Sequence, residues 1–268
     1  MAIYMAKNGQ LQTVKGIYYA MTEHYIDARL FHNLVPETAT EIRFLYASNN
    51  PDLTGYQMLG YCDNNNFIEV WNSGTKYILI NPRKNYIYAP INCISFLYDY
   101  TALTSCIFDN FDTRYVTNML YMFHNCSSLT SLDLTPFSTT NVTSMESMFS
   151  GCSSLTSLDV SNFKTNNVTD MRTMFYNCSS LTSLDLTSFN TANVTNMNFM
   201  FYNCSGLITI ISNSFVLKEG LSSSKMFSYC TALVGGNGTT YNGSYVDANY
   251  ARVDGENGLP GYFTAPTN

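Results

Sequence analysis

Five cysteines recur at one constant spacing through the middle of the chain: Cys126, Cys152, Cys178, Cys204 and Cys230. The residues between them repeat almost unchanged, for example LTSLDLTPFSTTNVTSMESMFSGCSS from Leu129 and LTSLDVSNFKTNNVTDMRTMFYNCSS from Leu155. A fixed period between about 20 and 50 residues predicts units that bury their apolar side chains by stacking on their neighbours. The function of such a chain is then expected on a repeated surface rather than in a pocket.

The repeat register extends to less regular copies at both ends. Leu103 stands one period before Leu129, and Leu207 stands one period after Leu181. Terminal units of a stacked array face something different on one side, so they are expected to diverge. The array is therefore predicted over residues 96–233.

The regions that flank the array differ from it in composition. Short apolar segments separated by Asn, Pro and Gly predict a β-rich N-terminal cap over 23–95, with a hairpin that turns at Asn72-Ser73-Gly74. Residues 1–22 are predicted to form a hairpin arm used for docking, with its turn at Asn8-Gly9. Residues 234–268 are rich in Gly, Asn and Tyr and are predicted as a looped C-terminal cap.

Each unit combines two periodicities. In the pattern LxxLxL, Leu132 and Leu134 lie on one face of a predicted short strand. Apolar residues then follow at the spacing of one side of a two-turn helix, namely Met145, Met148, Phe149 and Cys152. Thr143 is a candidate N-cap for that helix, and Glu146 completes a capping box. The predicted fold class is an α/β solenoid of short parallel strands and short helices.

Two further columns of residues are expected to shape the backbone or to form hydrogen bonds with it. A left-handed residue is expected at the end of each predicted helix, at Asn125, Gly151, Asn177 and Asn203. A second column is expected to form a ladder of side-chain amides that bind backbone groups of adjacent coils, at Asn141, Asn167 and Asn193.

The consensus LTSLDLxxFxTxNVTxMxxMFxxCSS resembles the 26-residue surface repeat of BspA-like leucine-rich-repeat proteins of bacteria. The ending YVDANYARVDGENGLPGYFTAP resembles the segment that often closes such arrays, and AIYMAKNGQLQTVKGIYYAM resembles hairpin leaders of phage tail and fibre proteins. The resemblance implies a leucine-rich-repeat-like solenoid that is displayed on a bacterial surface or encoded by a phage. It implies binding without catalysis.

Charge and hydropathy argue against some classes of binding partner. Charged residues make up 12% of the chain and the net charge is −6, with no run of Lys or Arg, which argues against nucleic acid as a partner. No stretch reaches the ~18 apolar residues of a membrane span. The first residues carry no apolar segment typical of an export signal, which favours a virion protein over a secreted one.

The outward side of the predicted strands carries a column of carboxylates. Asp133, Asp159 and Asp185 fall one strand apart, where like charges repel and raise each other's pKa unless a cation or hydrogen-bond donors intervene. Two readings remain open, a ligand or Ca²⁺ site and a column satisfied by neighbouring hydroxyls and water. The candidate ligand-binding face comprises Ser131, Asp133, Thr135, Ser157, Asp159, Ser161, Ser183, Asp185 and Thr187.

The other chemically reactive residues have structural explanations. The methionines at helical spacing are predicted to fill the core, and the repeat cysteines are predicted as buried thiols, although neighbouring coils lie close enough for disulfides. Tyr241, Tyr245 and Tyr250 either stack on sugars or pack between loops. His24, His32 and His124 have no neighbouring nucleophile or acid in a catalytic pattern, so no enzyme activity, cofactor or metal is predicted.

These observations favour a non-catalytic binding or adhesion protein that is exposed on a surface. The first expectation is a phage virion component, a fibre, decoration or host-attachment protein. Its expected partners are a host cell-surface glycan or protein and other virion proteins, which it contacts through its N-terminal region, with a homo-oligomer left open. The alternative is a bacterial cell-surface adhesin of the BspA-like type.

Overall fold

The computed structural model describes residues 25–46, 51–63, 68–82, 86–213 and 215–267. The predicted hairpin arm at 1–22 lies outside these residues. The described residues before the array form a helix and five strands: α1 (Ala28–Leu34), β1 (Glu41–Leu45), β2 (Gln57–Tyr61), β3 (Glu69–Ser73), β4 (Lys76–Ile80) and β5 (Ile87–Tyr88). Helix α1 was not predicted; its N-cap is Asp27, whose carboxylate accepts the backbone N–H groups of Arg29 and Leu30.

The strands of the N-terminal region form a mixed sheet in the order β2-β3-β4-β1-β6, where β6 is Ser105–Ile107. The predicted hairpin at Asn72-Ser73-Gly74 is confirmed, because β3 and β4 pair in antiparallel fashion and Gly74 has a φ of +61°. Strand β1 pairs in parallel with β6, which belongs to the first repeat copy. The sheet therefore crosses from the N-terminal region into the array.

Aromatic packing joins the N-terminal region to the first repeat copy. The rings of Phe31 and Phe96 stack at 4.6 Å between centroids, and those of Phe44 and Phe108 stack at 5.3 Å. All four side chains are buried within one hydrophobic core that continues through the repeats. The N-terminal region thus covers apolar side chains that the first copy would otherwise expose to water.

The repeat copies are joined by parallel backbone pairing between equivalent residues. The successive partners, each one period from the next, are Asn92, Asn118, Ser144, Asp170, Asn196 and Ser222. The phenyl rings of the buried column continue this stacking, with centroid separations of 5.7, 5.8, 5.6 and 5.4 Å along Phe123, Phe149, Phe175, Phe201 and Phe227. Stacking of this kind is what the predicted solenoid requires, and its leucine-rich-repeat-like class stays a prediction.

The short helices predicted within the units are wrong. The segment from Met145 to Cys152 is a series of turns, in which Met148 N–H donates to the carbonyl of Met145 and Cys152 N–H to that of Phe149. Ser147 and Gly151 have positive φ angles of +54° and +78°, as the third residue of a type II turn requires. Linked turns return Met145, Met148, Phe149 and Cys152 to the core, as a helix would.

Hydrogen bonds to the next coil explain why turns replace the helix. The N–H groups of Met145, Ser147, Phe149 and Gly151 donate to backbone carbonyls of the following copy at 2.7–3.0 Å. An isolated two-turn helix is marginal in water, whereas this ladder gives every second N–H group a partner outside its own turn. The capping box is also wrong, since the Thr143 hydroxyl donates to the Thr117 carbonyl and Glu146 pairs with Arg172.

The left-handed residues expected at the ends of these segments are confirmed. Asn125, Asn177 and Asn203 have φ angles between +56° and +60°. At Gly151 a side chain would also approach the Asn125 backbone, because a Cβ there would lie 3.2 Å from the Asn125 Cα atom. Asparagine tolerates this conformation better than most residues, so these four positions use the two best-suited residue types.

The predicted sheet on the leucine side is shorter than expected. Strands β8 (Ser183–Asp185), β9 (Thr209–Ile211) and β10 (Phe263–Thr264) pair in parallel in the order β10-β9-β8, and β7 (Phe111–Asp112) pairs with β5. The equivalent segments 131–133 and 157–159 keep the alternating burial without a hydrogen-bonded ladder. The turn ladder already sets the coil spacing, so continuous strand pairing is not needed to stack these copies.

The C-terminal region closes the other end of the array. Strand β10 continues the parallel pairing beyond β9, and short 3-10 helices lie at Ala248–Tyr250 and Glu256–Gly258. Asp254 is buried and accepts hydrogen bonds from Thr239, Asn237 and Gly261. Burial alone would raise the pKa of Asp254, but these hydrogen bonds lower it below the usual value.

Candidate binding surfaces

The predicted carboxylate column lies on the exposed side of the leucine segments. Asp133, Asp159 and Asp185 are exposed, as are Ser131, Thr135, Ser157, Ser161 and Ser183, while Thr187 is half-buried. Each carboxylate accepts the backbone N–H group two residues further along the chain, and the three distances are all 2.9 Å. The structure therefore presents the nine predicted residues as polar columns on one face of successive copies.

Local hydrogen bonds stabilise the carboxylates of this column. The backbone N–H and side chain of Ser161 lower the pKa of Asp159, so hydrogen-bond donors outweigh mutual repulsion at this residue, which is one of the two readings that the sequence left open. Within the described ranges, no group of three or more His, Cys, Asp or Glu side chains is arranged to hold a metal ion. These contacts agree with the reading in which nearby donors satisfy the carboxylates.

The predicted amide ladder is confirmed. Asn141, Asn167 and Asn193 donate through their side-chain nitrogens to backbone carbonyls of the preceding copy at 2.7–2.9 Å. A column of exposed threonines makes the same kind of contact, from Thr117, Thr143, Thr169 and Thr195. Both columns are exposed, so they present hydroxyl and amide groups at fixed positions while they hold the coils together.

Sequence reasoning missed a second, buried threonine ladder. Each hydroxyl donates to a carbonyl of the next copy and accepts the N–H group of the same residue, for example between Thr165 and Asn190 at 3.0 and 2.7 Å. The members of this ladder are Thr113, Thr139, Thr165 and Thr191, all buried. Their recurrence after the repeat phenylalanine is visible in the sequence, but a polar residue in a loop pattern gave no sign of burial.

The repeat cysteines form a ladder of thiols inside the core. All eight cysteines are free and buried, and each repeat thiol lies 2.9–3.2 Å from a carbonyl oxygen of the preceding copy. Burial raises the pKa of Cys152 to about 12, so the thiolate that would react or bind a metal is disfavoured. The geometry agrees with buried thiols rather than with disulfides between neighbouring coils. The repeat methionines are likewise buried in the core, as predicted.

Neither described histidine faces a nucleophile. The Nε2 atom of His32 lies 2.9 Å from the Phe96 carbonyl, and the ring of His124 stacks on Tyr98 at 4.8 Å. Burial lowers the pKa of His124, an effect that the nearby Asp99 partly offsets. His24 lies outside the described residues.

The tyrosines of the C-terminal region pack among themselves. Tyr245 and Tyr250 stack at 4.4 Å, and the Tyr241 hydroxyl accepts the backbone N–H of Tyr229 at 2.9 Å. All three are half-buried against the core. These contacts favour the packing role over sugar stacking for Tyr241, Tyr245 and Tyr250.

A group of aromatic residues on the turn segments was not predicted. Tyr176 and Tyr202 occupy equivalent positions in successive copies, and their rings stack at 5.0 Å with 5° between the planes. Phe199 and Tyr229 contact Tyr202 edge-on at 5.7 and 5.1 Å. The signal in the sequence was the substitution of Tyr for Ser after the repeat Met-Phe pair, which periodicity alone does not interpret.

Comparison with known proteins finds a family match over most of the repeat array. No curated protein and no solved structure matches the chain. In the described part of the chain, every helix is too short or too polar to cross a membrane. Residues 91–214, a little under half of the chain, match a family model described as a Mycoplasma protein of unknown function, DUF285, a family related to the BspA-like repeat proteins.

Proposed function

We propose that this chain is a non-catalytic binding protein displayed on a biological surface, built on a leucine-rich-repeat-like solenoid. The observation that carries the proposal is the ladder of backbone pairs at intervals of one period, which repeats the same exposed side-chain positions from copy to copy. A surface held in place before binding loses little conformational entropy when a partner docks. Regular columns suit a partner that is itself large or repetitive.

The exposed side chains support binding of a largely uncharged partner. Hydroxyl and amide groups dominate the outward columns, and charged residues make up only 12% of the chain. Electrostatic attraction would then contribute less to association than hydrogen bonding and ring contacts. A host cell-surface glycan or protein remains the proposed partner.

Two placements follow from different observations. The likeness of the first twenty residues to phage leaders supports a virion component, a fibre, decoration or host-attachment protein, that contacts other virion proteins through its N-terminal region. The match of residues 91–214 to a Mycoplasma family favours the second candidate, a bacterial cell-surface adhesin. Immunogold labelling with an antibody against this chain separates them, because label on phage particles supports the first and label on the cell envelope supports the second.

Binding itself is tested with purified protein and intact bacteria from the microbial community in which the protein occurs. We expect saturable binding that the double substitution Asp133→Ala with Asp159→Ala weakens, because both carboxylates are exposed members of the column. The control substitutes Glu37→Ala and Glu219→Ala, which remove the same charge from exposed positions elsewhere. Absence of binding by the unmodified protein would refute the proposal, and equal binding by all three proteins would exclude the carboxylate column as its site.

A further inference from the structure

A strip of partly exposed aromatic rings crosses three successive copies on the turn segments. Tyr176, Phe199, Tyr202 and Tyr229 form this aromatic strip, in which the Tyr202 ring contacts each of the other three rings at 5.0–5.7 Å. Tyr229 leaves 56% of its surface exposed, and the other three are partly exposed. Large apolar side chains grouped at a surface often mark a binding site.

The fold does not require aromatic residues at these positions. Ser150 and Ser228 are the equivalents of Tyr176 and Tyr202 in neighbouring copies, and Ser147 is the equivalent of Phe199. The backbone is the same in both cases, since the φ angles of Ser147 and Phe199 are +54° and +57°. Because serine supports the same coil, the rings of the strip are not explained by stacking of the array.

Hydrogen-bonding groups accompany the rings. Asn177 and Asn203 directly follow the two stacked tyrosines, and the Asn203 amide donates to the Asn177 side-chain oxygen at 2.9 Å. The ammonium group of Lys225 lies 6.0 Å from the centre of the Phe199 ring. The strip therefore combines ring surfaces with neighbouring amides and hydroxyls, and little charge.

From these contacts we infer that the aromatic strip binds a chain of pyranose sugars. The C–H face of a sugar ring packs on aromatic surfaces, while its hydroxyl groups exchange hydrogen bonds with amides and phenols. The inference rests on the proposed binding function and adds a second contact surface, separate from the carboxylate column. It also specifies the chemical class of the ligand, a polysaccharide.

The dimensions of the strip favour a glycan over a protein. Three coils at about 4.8 Å each give a length of roughly 10 to 15 Å, and the strip is about one side chain wide. A stable protein interface buries about 800 Å² on each partner, more than four rings supply. A sugar chain can instead make its contacts along a narrow line.

The test uses affinity electrophoresis in gels that contain dextran, xylan, a soluble β-glucan or polysaccharide extracted from bacterial cell surfaces. We expect at least one polymer to retard the unmodified protein, and the double substitution Tyr176→Ser with Tyr202→Ser to weaken that affinity at least tenfold. This variant carries residues that the chain itself uses at Ser150 and Ser228, so its circular dichroism and melting curve are expected to stay close to those of the unmodified protein. The control is Tyr61→Ala, which removes an exposed tyrosine from β2.

The outcomes separate this inference from the proposed function. Retardation by none of the polymers, or equal retardation of the unmodified protein and the double variant, overturns the inference. If intact bacteria still bind both proteins equally, the proposed function stands without the aromatic strip. If the polymer is bound through the strip but intact bacteria are not bound, the inference stands and the proposed function fails.

Discussion

Replacing a buried hydroxyl tests whether the threonine ladder holds the coils together. In Thr165→Val the shape of the side chain is kept, but the Asn190 N–H and carbonyl both lose their partner. A buried group left without a partner costs about 1 to 3 kcal/mol. Water can reach part of Asn190, which is exposed, so we expect an unfolding free energy lower by about 2 to 4 kcal/mol in total.

The matched control is the same substitution in the exposed ladder, Thr143→Val. There the Thr117 carbonyl keeps the backbone N–H of Thr143 at 2.9 Å and remains accessible to water, so a loss below about 1 kcal/mol is expected. Urea unfolding followed by circular dichroism measures both variants. The slope of unfolding free energy against urea concentration is compared between them, because repeat arrays can depart from two-state behaviour. Equal losses in the two variants, or a loss below about 0.5 kcal/mol for Thr165→Val, would refute the reasoning.

Three further measurements address the core, the thiols and the C-terminal region. Leu158→Ala or Phe163→Ala should each lower the unfolding free energy by about 2 to 5 kcal/mol in a urea titration, because both side chains are buried; a loss under about 1 kcal/mol would contradict this packing. The cysteines should resist a thiol reagent at pH 8 until the protein is denatured, as counted by mass spectrometry, since burial raises the pKa of Cys152 to about 12; labelling of the native protein would show that the thiols are accessible. Asp254→Asn should lower the melting temperature at pH 7. Because the folded pKa of Asp254 is lowered, the carboxylate stabilises the fold above the unfolded pKa of about 3.9, and this stabilisation is lost as the pH falls through the folded pKa. The melting temperatures of the variant and the unmodified protein should therefore converge in acid. A difference in melting temperature that does not change with pH would argue against this assignment.

The sequence allowed the core to be predicted because its repeat keeps apolar residues in register. The spacing predicts Leu132 and Leu134 on one face of a strand, and both are buried. The left-handed column of Asn and Gly was also predictable, since these residues favour that conformation for steric reasons. Ser147 and Phe199 have positive φ as well, but their residue types gave no sign of it. Both predictions depend on properties of single residues repeated at a known interval.

The turn segments and the aromatic strip could not be derived in the same way. A helix and a pair of linked turns place Met145 and Phe149 on the same side, so apolar spacing does not distinguish them. The choice depends on hydrogen bonds to another copy, such as Phe149 N–H to the Met174 carbonyl, which only the assembled coils reveal. Exposure of Tyr176 likewise depends on where the turn directs its side chain.

Parallel strand pairing on the leucine side closes both ends of the array. Strand β1 joins β6 as one copy joins the next, and β10 joins β9 in the same manner. Neither end pairing involves the central copies, so we expect that removing or duplicating one central copy would leave the contacts at each terminus unaltered. Chain length in such a molecule can change in steps of one copy during evolution. The exposed surface would then become longer or shorter while each copy keeps the same fold.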